Sequence, residues 1–363
     1  VITTTTRQHN LRGHLPGRHT ARAASSVEHQ AMLASRLTTR DKWLLALLHE
    51  HRVLTTAQIQ DAAFPSGRSA RQRLRDLYLW RAISRFQPFQ QLGSAPMHYV
   101  LGPAGAAVLA AEHGLEVKEL GYRHDRAMAI AHNQRLAHTV GVNDFFTSLI
   151  ARARYTRHAE AVVAWWSESR CARHFGDLVI PDGYGRWRTG TGATAREVEW
   201  FLEFDTGTES LTKVGRKLAG YARLAESTGI ATPVLVWLPT TRREAGARTA
   251  LARVHADLDD PRAVPVATAA ADLLDPAAPH PSPGEAIWLP LTSARADRGR
   301  PRYSLADLAD AWPGLAPPAD PATSAEDSEG QTGDAVAASP YRLPPPSPIP
   351  PPATPNRVAR GEH

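Results

Sequence analysis

Apolar residues recur at helical spacing through Trp43, Leu44, Leu47 and Leu48, and Thr39-Arg40-Asp41 ahead of them is a start signal, so the pattern predicts a first helix. His51-Arg52-Val53-Leu54 follows as a short extended piece. Thr55-Thr56 caps a second helix over residues 57–63, with Ile59 and Ala63 inward. Phe64-Pro65-Ser66-Gly67 breaks the run, and Ser66 is placed to cap what comes next. A third helix, residues 68 to about 80, sets Ala70, Leu74 and Leu77 on one face and Arg68, Arg71, Gln72 and Arg75 on the other. Residues 83–86 and 97–101 read as two strands, joined by a loop containing Gly93 and Pro96. Helix, helix, turn, basic helix, hairpin is the order of a winged helix-turn-helix, expected over residues 37–112.

Beyond a linker at 113–135 the periodicity changes to an α/β alternation over 136–271. Residues 136–154 are helical, with Val140, Phe145, Leu149 and Ile150 available to a core. Strands are expected at 161–167, at 177–180 running into Pro181-Asp182-Gly183, and at 197–205, followed by a helix at 209–225 with Leu211, Val214, Leu218 and Tyr221 at helical spacing. A buried-type strand (233–238), a helix (242–258) and a short strand (264–267) close the block. Trp165, Trp166, Trp200 and Trp237 fall on strands and read as core. Residues 272–312 form an extension with one strand-like and one helical stretch. Residues 1–36 are polar and aperiodic, and 313–363 are rich in Pro, Ala and Ser with a proline run at 344–352, so both tails are expected to be disordered, the second favouring extended or polyproline II conformers.

Composition narrows the classes. With 363 residues and nine tryptophans the chain can build two cores, and no apolar run reaches the roughly 18 residues of a membrane span. Cys171 is the only cysteine, which excludes a disulfide framework or a cysteine-cluster zinc site and suits a cytoplasmic protein. Residues 1–135 hold 18 Lys and Arg against 9 Asp and Glu, so the positive excess sits on the helix-turn-helix side. A major groove admits one helix, and guanidinium groups pair with phosphates or guanine edges. Double-stranded DNA is therefore the expected partner of Arg68, Arg71, Gln72 and Arg75. A solvated arginine-rich helix in a dimerisation domain is the alternative.

The second block carries candidate chemistry. Asp182 follows Pro181, Glu203 sits mid-strand, Asp205 shares the face of Glu203, and Lys213 and Lys217 lie one turn apart on the next helix. Carboxylates beside a lysine are what Mg2+-assisted phosphodiester hydrolysis needs: oxygen ligands for the metal, and an ammonium to orient water or steady developing charge. The same residues are explained without metal if Asp182 caps a turn and Glu203 or Asp205 pairs with Lys213, Lys217 or Arg216.

Pro181-Asp182, Glu203-Phe204-Asp205 and Lys217 with Tyr221 resemble the PD-(D/E)XK nuclease superfamily. Over about residues 40–270 the chain more closely resembles the replication-relaxation family of actinobacterial plasmids and integrative elements, above all in Leu-Glu-Phe-Asp-Thr-Gly-Thr-Glu at 202–209 followed by Lys217 and Tyr221. That resemblance implies a restriction-endonuclease-like fold, with Asp182, Glu203 and Lys217 in catalytic positions and Asp182, Glu203 and Asp205 as Mg2+ ligands. Where the superfamily has lysine two residues after the acid, this chain has Asp205, so Lys217 would have to serve from the following helix. Glu168 or His138 would add a further contact. The function implied is that of a DNA-binding accessory protein of a mobile element in replication, relaxation or transfer control, working with replication or conjugation proteins. An Mg2+-dependent endonuclease and a transcriptional regulator whose second domain dimerises remain open alternatives.

Overall fold

The computed structural model describes residues 11–12, 26–90, 93–156, 159–192, 195–208, 210–291, 302–316, 318 and 343–352. These form a mixed α/β protein of two compact units, one within residues 6–140 and 338–363, the other within 141–337.

In the first unit, α1 (Val27–Arg36), α2 (Thr39–His51), α3 (Thr56–Ala63) and α4 (Gly67–Leu79) precede a hairpin of β3 (Ile83–Pro88) and β4 (His98–Leu101). Two short strands join it, β1 (Leu11–Arg12) and β2 (Leu54–Thr55), giving an antiparallel sheet ordered β1-β3-β4-β2. Local chemistry sets the helix starts. Thr38 with Asp41 and Thr55 with Gln58 are capping boxes, and the Ser66 side chain accepts from the Ser69 amide at the head of α4. Helix α5 (Pro103–Glu112) then lies against the turn that follows α4. Gly102 and Gly105 permit that approach, since an added Cβ would stand 2.4 Å from the Arg81 carbonyl oxygen and 2.1 Å from that of Ala82.

Three segments of this unit differ from expectation. Part of the expected 1–36 tail is the helix α1, because Leu33 is fully buried and α1 packs on α5; the rest of that tail, apart from β1, lies outside the described residues. The expected linker is packed, since α6 (His124–Ala129) and a 3-10 turn bring Ile130 and Ala131 into a cluster with Val53, Phe86, Val100, Leu136 and Val140. Residues 343–352 of the proline-rich tail belong to this unit, with Leu343 and Pro348 buried. A proline-rich stretch cannot bury enough of its own surface to fold, but it can borrow another element's.

The second unit holds a six-stranded sheet. Most of α7 (Leu136–Tyr155) leads into β5 (Glu160–Ser167), α8 (Glu168–Phe175), β6 (Gly183–Thr189), β7 (Arg196–Phe204), α9 (Leu211–Thr228), β8 (Val234–Leu238), α10 (Thr241–Ala256), β9 (Val266–Ala270) and β10 (Leu289–Pro290). The order is β10-β9-β8-β7-β6-β5. Strands β5, β6 and β7 form an antiparallel meander, while β7, β8 and β9 are parallel and are linked through α9 and α10, as parallel neighbours require. The strand expected at 177–180 is not there. It starts at Gly183, so Asp182 stands at a strand's beginning and not at its end, and α8 precedes it. Gly185 hid this strand from a pattern search, yet it is required: a Cβ there would lie 2.4 Å from the Trp200 ring.

Alternation along β7 gives its two faces different work. Trp200 stacks with Phe146, itself stacked on Trp165, and Phe204 approaches Gly141 of α7. Phe201 points the other way and joins Val179, Leu218, Tyr221, Val236 and Leu251. Trp165, Trp200 and Trp237 are core residues, as expected, whereas Trp166 is only half-buried, against Phe175 and Tyr184. The 272–312 extension is part of the fold: Trp288 is fully buried and meets Phe145 and Trp237, and Arg302 pairs with buried Glu244. Its helical stretch is only a 3-10 turn at Leu308–Ala311. No helix among the described residues is long and apolar enough to cross a membrane.

Candidate functional site

Two groups of side chains carry chemistry. On α4 the expected division of faces is realised: Ala70, Leu74 and Leu77 are fully buried, and Arg68, Arg71, Gln72 and Arg75 are exposed. Among the described residues, Arg68, Arg71 and Arg75 enter no ion pair, so their charge is available to solvent. Leu79 shares this face and is 61% exposed. The hairpin loop between β3 and β4 contains no Lys or Arg.

The fourth arginine of α4 behaves differently. Arg73 Nε donates to Asp41 Oδ1 at 2.9 Å, its Nη2 pairs with Asp41 Oδ2, and the same nitrogen donates to the Arg36 carbonyl at 2.8 Å. Asp41 is buried and also accepts from the Thr38 amide at 2.6 Å. One carboxylate thus closes the capping box of α2 and locks α4 onto it, and the guanidinium is spent on that pairing. The Arg73 side chain also lies over Trp80, 5.0 Å from the ring centroid. This brace escaped the sequence reading, although 73 falls on the flank of the apolar stripe, where a half-buried role was legible.

The second group lies where β6 begins beside the end of β7. Asp182, Glu203 and Asp205 are all buried. Lys217, on α9, forms an ion pair with Glu203 Oε2 and stands 3.7 Å from Asp182 Oδ1. Tyr221, one turn on, donates to Glu203 Oε1 at 2.5 Å. Asp182 Oδ2 accepts from the Phe204 amide at 2.8 Å. Burial, then the nearby Asp182 carboxylate, pushes the Glu203 acid up to about 7, against the pull of Lys217 and of its hydrogen bonds. Burial and the Glu203 carboxylate push the Tyr221 phenol well above its ordinary value, so it stays a donor.

The fold therefore brings together Asp182, Glu203 and Lys217 as the sequence placed them. Asp205 is turned to another task. Arg243 of α10 grips it through Nε at 2.5 Å and Nη2 at 3.1 Å, and the Gly207 amide donates to it at 2.7 Å. Arg243 was missed, and with the partners 38 positions apart no local pattern could have paired them. The resemblance implies Mg2+ here, but the donor set does not fit it well. The Lys217 ammonium already takes the place of a cation beside both Asp182 and Glu203. Among the described residues no group of three or more His, Cys, Asp or Glu side chains is gathered as metal ligands would be.

A chain of this kind, a basic helical unit followed by an α/β unit with an acid–lysine cluster at adjacent strand ends, is a two-part protein of mixed α/β class. The replication-relaxation family matches residues 45–237, more than half the chain, and this protein belongs to that family. No curated protein and no solved structure matches the chain.

Proposed function

We propose that this is a DNA-binding accessory protein of a plasmid or integrative element, acting in replication, relaxation or transfer control. In this reading the first unit is a winged helix-turn-helix that docks α4 in the major groove of duplex DNA. The observation that carries it is the exposed face of Arg68, Arg71, Gln72 and Arg75, without ion pairs among the described residues and backed by a fully buried apolar stripe. Guanidinium groups on such a face anchor phosphates and can reach guanine edges, while exposed Leu79 suits a thymine methyl. Membership of the replication-relaxation family supports the biological setting. Replacing Arg71 and Arg75 together by Ala is expected to weaken binding to duplex DNA at least about tenfold at fixed salt, measured by fluorescence anisotropy. Unchanged affinity would remove α4 from the interface.

The second unit reads as a nuclease-like scaffold with its acid–lysine cluster in a structural role. What supports this is that both oxygens of Glu203 and both of Asp205 are already satisfied by Lys217, Tyr221, Arg243 and Gly207. The meeting of Asp182, Glu203 and Lys217 favours a second reading, an Mg2+-dependent endonuclease. Incubation of supercoiled plasmid with Mg2+ or Mn2+ separates the two. The structural reading expects intact plasmid from the native protein. Nicking by the native protein that is lost in Asp182→Ala and Glu203→Ala would replace it with the endonuclease.

A further inference from the structure

Residues 343–352 read Leu-Pro-Pro-Pro-Ser-Pro-Ile-Pro-Pro-Pro, and neither helix nor strand holds them, yet they are grouped with the first unit and bury Leu343 and Pro348. A directional contact ties them to α2. The indole Nε1 of Trp43 on α2 donates to the Ser347 carbonyl at 2.6 Å, across 304 residues of sequence. Within the segment the Ile349 amide donates to the Ser347 hydroxyl at 3.2 Å, which sets the carbonyl just before Pro348.

This contact follows from what a proline-rich segment has to offer. Proline lacks a backbone N–H, so seven of these ten residues present carbonyl acceptors and rings but no donor. Such a ligand is recognised by an apolar surface carrying a donor, and tryptophan, whose indole N–H only donates, supplies both. Because polyproline chains are already extended, little conformational entropy is lost when they dock.

We propose that the surface around Trp43 is a recognition site for an extended, proline-rich ligand, and that the chain's own residues 343–352 occupy it in cis. The tail is then an intramolecular ligand whose covalent attachment holds it near the site at an effective concentration on the order of millimolar. A free peptide of the same sequence must compete with it.

The test uses the full chain labelled with 15N at its tryptophans. The Trp43 indole signal is assigned by its loss in Trp43→Phe. In full-length Pro348→Asp, whose change lies outside either sheet or helix, the Trp43 indole N–H is expected to shift and to exchange with solvent at least about tenfold faster. The other eight indole signals report that the fold is kept. A synthetic peptide of residues 341–354 should restore the native signal in Pro348→Asp saturably, whereas native protein should need at least about tenfold more peptide for any response. The same peptide carrying Pro348→Asp should not restore it. An unchanged Trp43 signal in Pro348→Asp, equal titration of native and variant chains, or equal rescue by the altered peptide would overturn the proposal.

Discussion

Replacing Lys217 by Met is expected to destabilise the second unit in a pH-dependent way, with little effect at pH 5 and a loss of about 3 kcal/mol by pH 9. The sign comes from Glu203. Its acid is raised to about 7 in the folded chain, above its unfolded value. Its contribution is therefore fully present below the unfolded value and is lost as pH rises through about 7. Lys217 limits that loss by pairing with the ionised form. Without it the acid rises further, and the folded chain must either hold a proton that the unfolded chain gives up or bury an uncompensated charge beside Asp182. Denaturant unfolding of native and Lys217→Met protein across pH 5–9 measures the difference. A destabilisation of the same size at pH 5 and pH 9 would mean that Lys217 contributes packing and not charge.

The second large effect is expected at Asp41. Asp41→Ala removes the acceptor that closes the α2 capping box and the anchor of Arg73, and leaves a half-buried guanidinium without its carboxylate. Loss of a cap is worth about 1 kcal/mol and loss of one partner of a buried pair about 3 kcal/mol, so the first unit should lose about 3 kcal/mol or more. Asp41→Asn, which keeps an acceptor but no charge, should fall between. The consequence for DNA separates positioning from charge. Removing a carboxylate adds net positive charge, which by long-range electrostatics alone would tighten binding. If Arg73–Asp41 holds α4 in its docking orientation, Asp41→Ala binds DNA more weakly despite that added charge. Tighter binding would show that the brace does not position the helix.

How far the sequence reached depended on the range of the forces involved. Helices α2, α3 and α4 were legible because capping boxes and amphipathic spacing act within a few residues, as at Thr38, Thr55 and Ser66. Helix α5 was not, since its Ala-rich stretch is buried on nearly every side and shows no polar–apolar contrast. Strand β6 was hidden because Gly183 reads as part of a turn and Gly185 breaks the apolar alternation, yet both are there to admit Phe146 and Trp200. At the acidic cluster the residues alone left Lys213, Lys217 and Arg216 open as partners of Glu203, and the resemblance singled out Lys217; the pairing of β6 with β7 and the helix after β7 bring Asp182, Glu203 and Lys217 together. The capture of Asp205 by Arg243 and of Ser347 by Trp43 joins residues far apart in sequence, where only the folded chain reveals the partner.

The proposed docking of α4 on duplex DNA is tested most directly by the salt dependence of binding. Each phosphate neutralised by Lys or Arg contributes about −0.9 to the slope of log K against log salt for duplex DNA. The native chain should show a steep negative slope, and Arg68→Ala/Arg71→Ala/Arg75→Ala should flatten it by roughly 2 to 3 while weakening binding at every salt concentration. A variant that keeps the native slope and affinity would place the DNA-binding surface elsewhere in the protein and contradict the assignment of this helix to the groove.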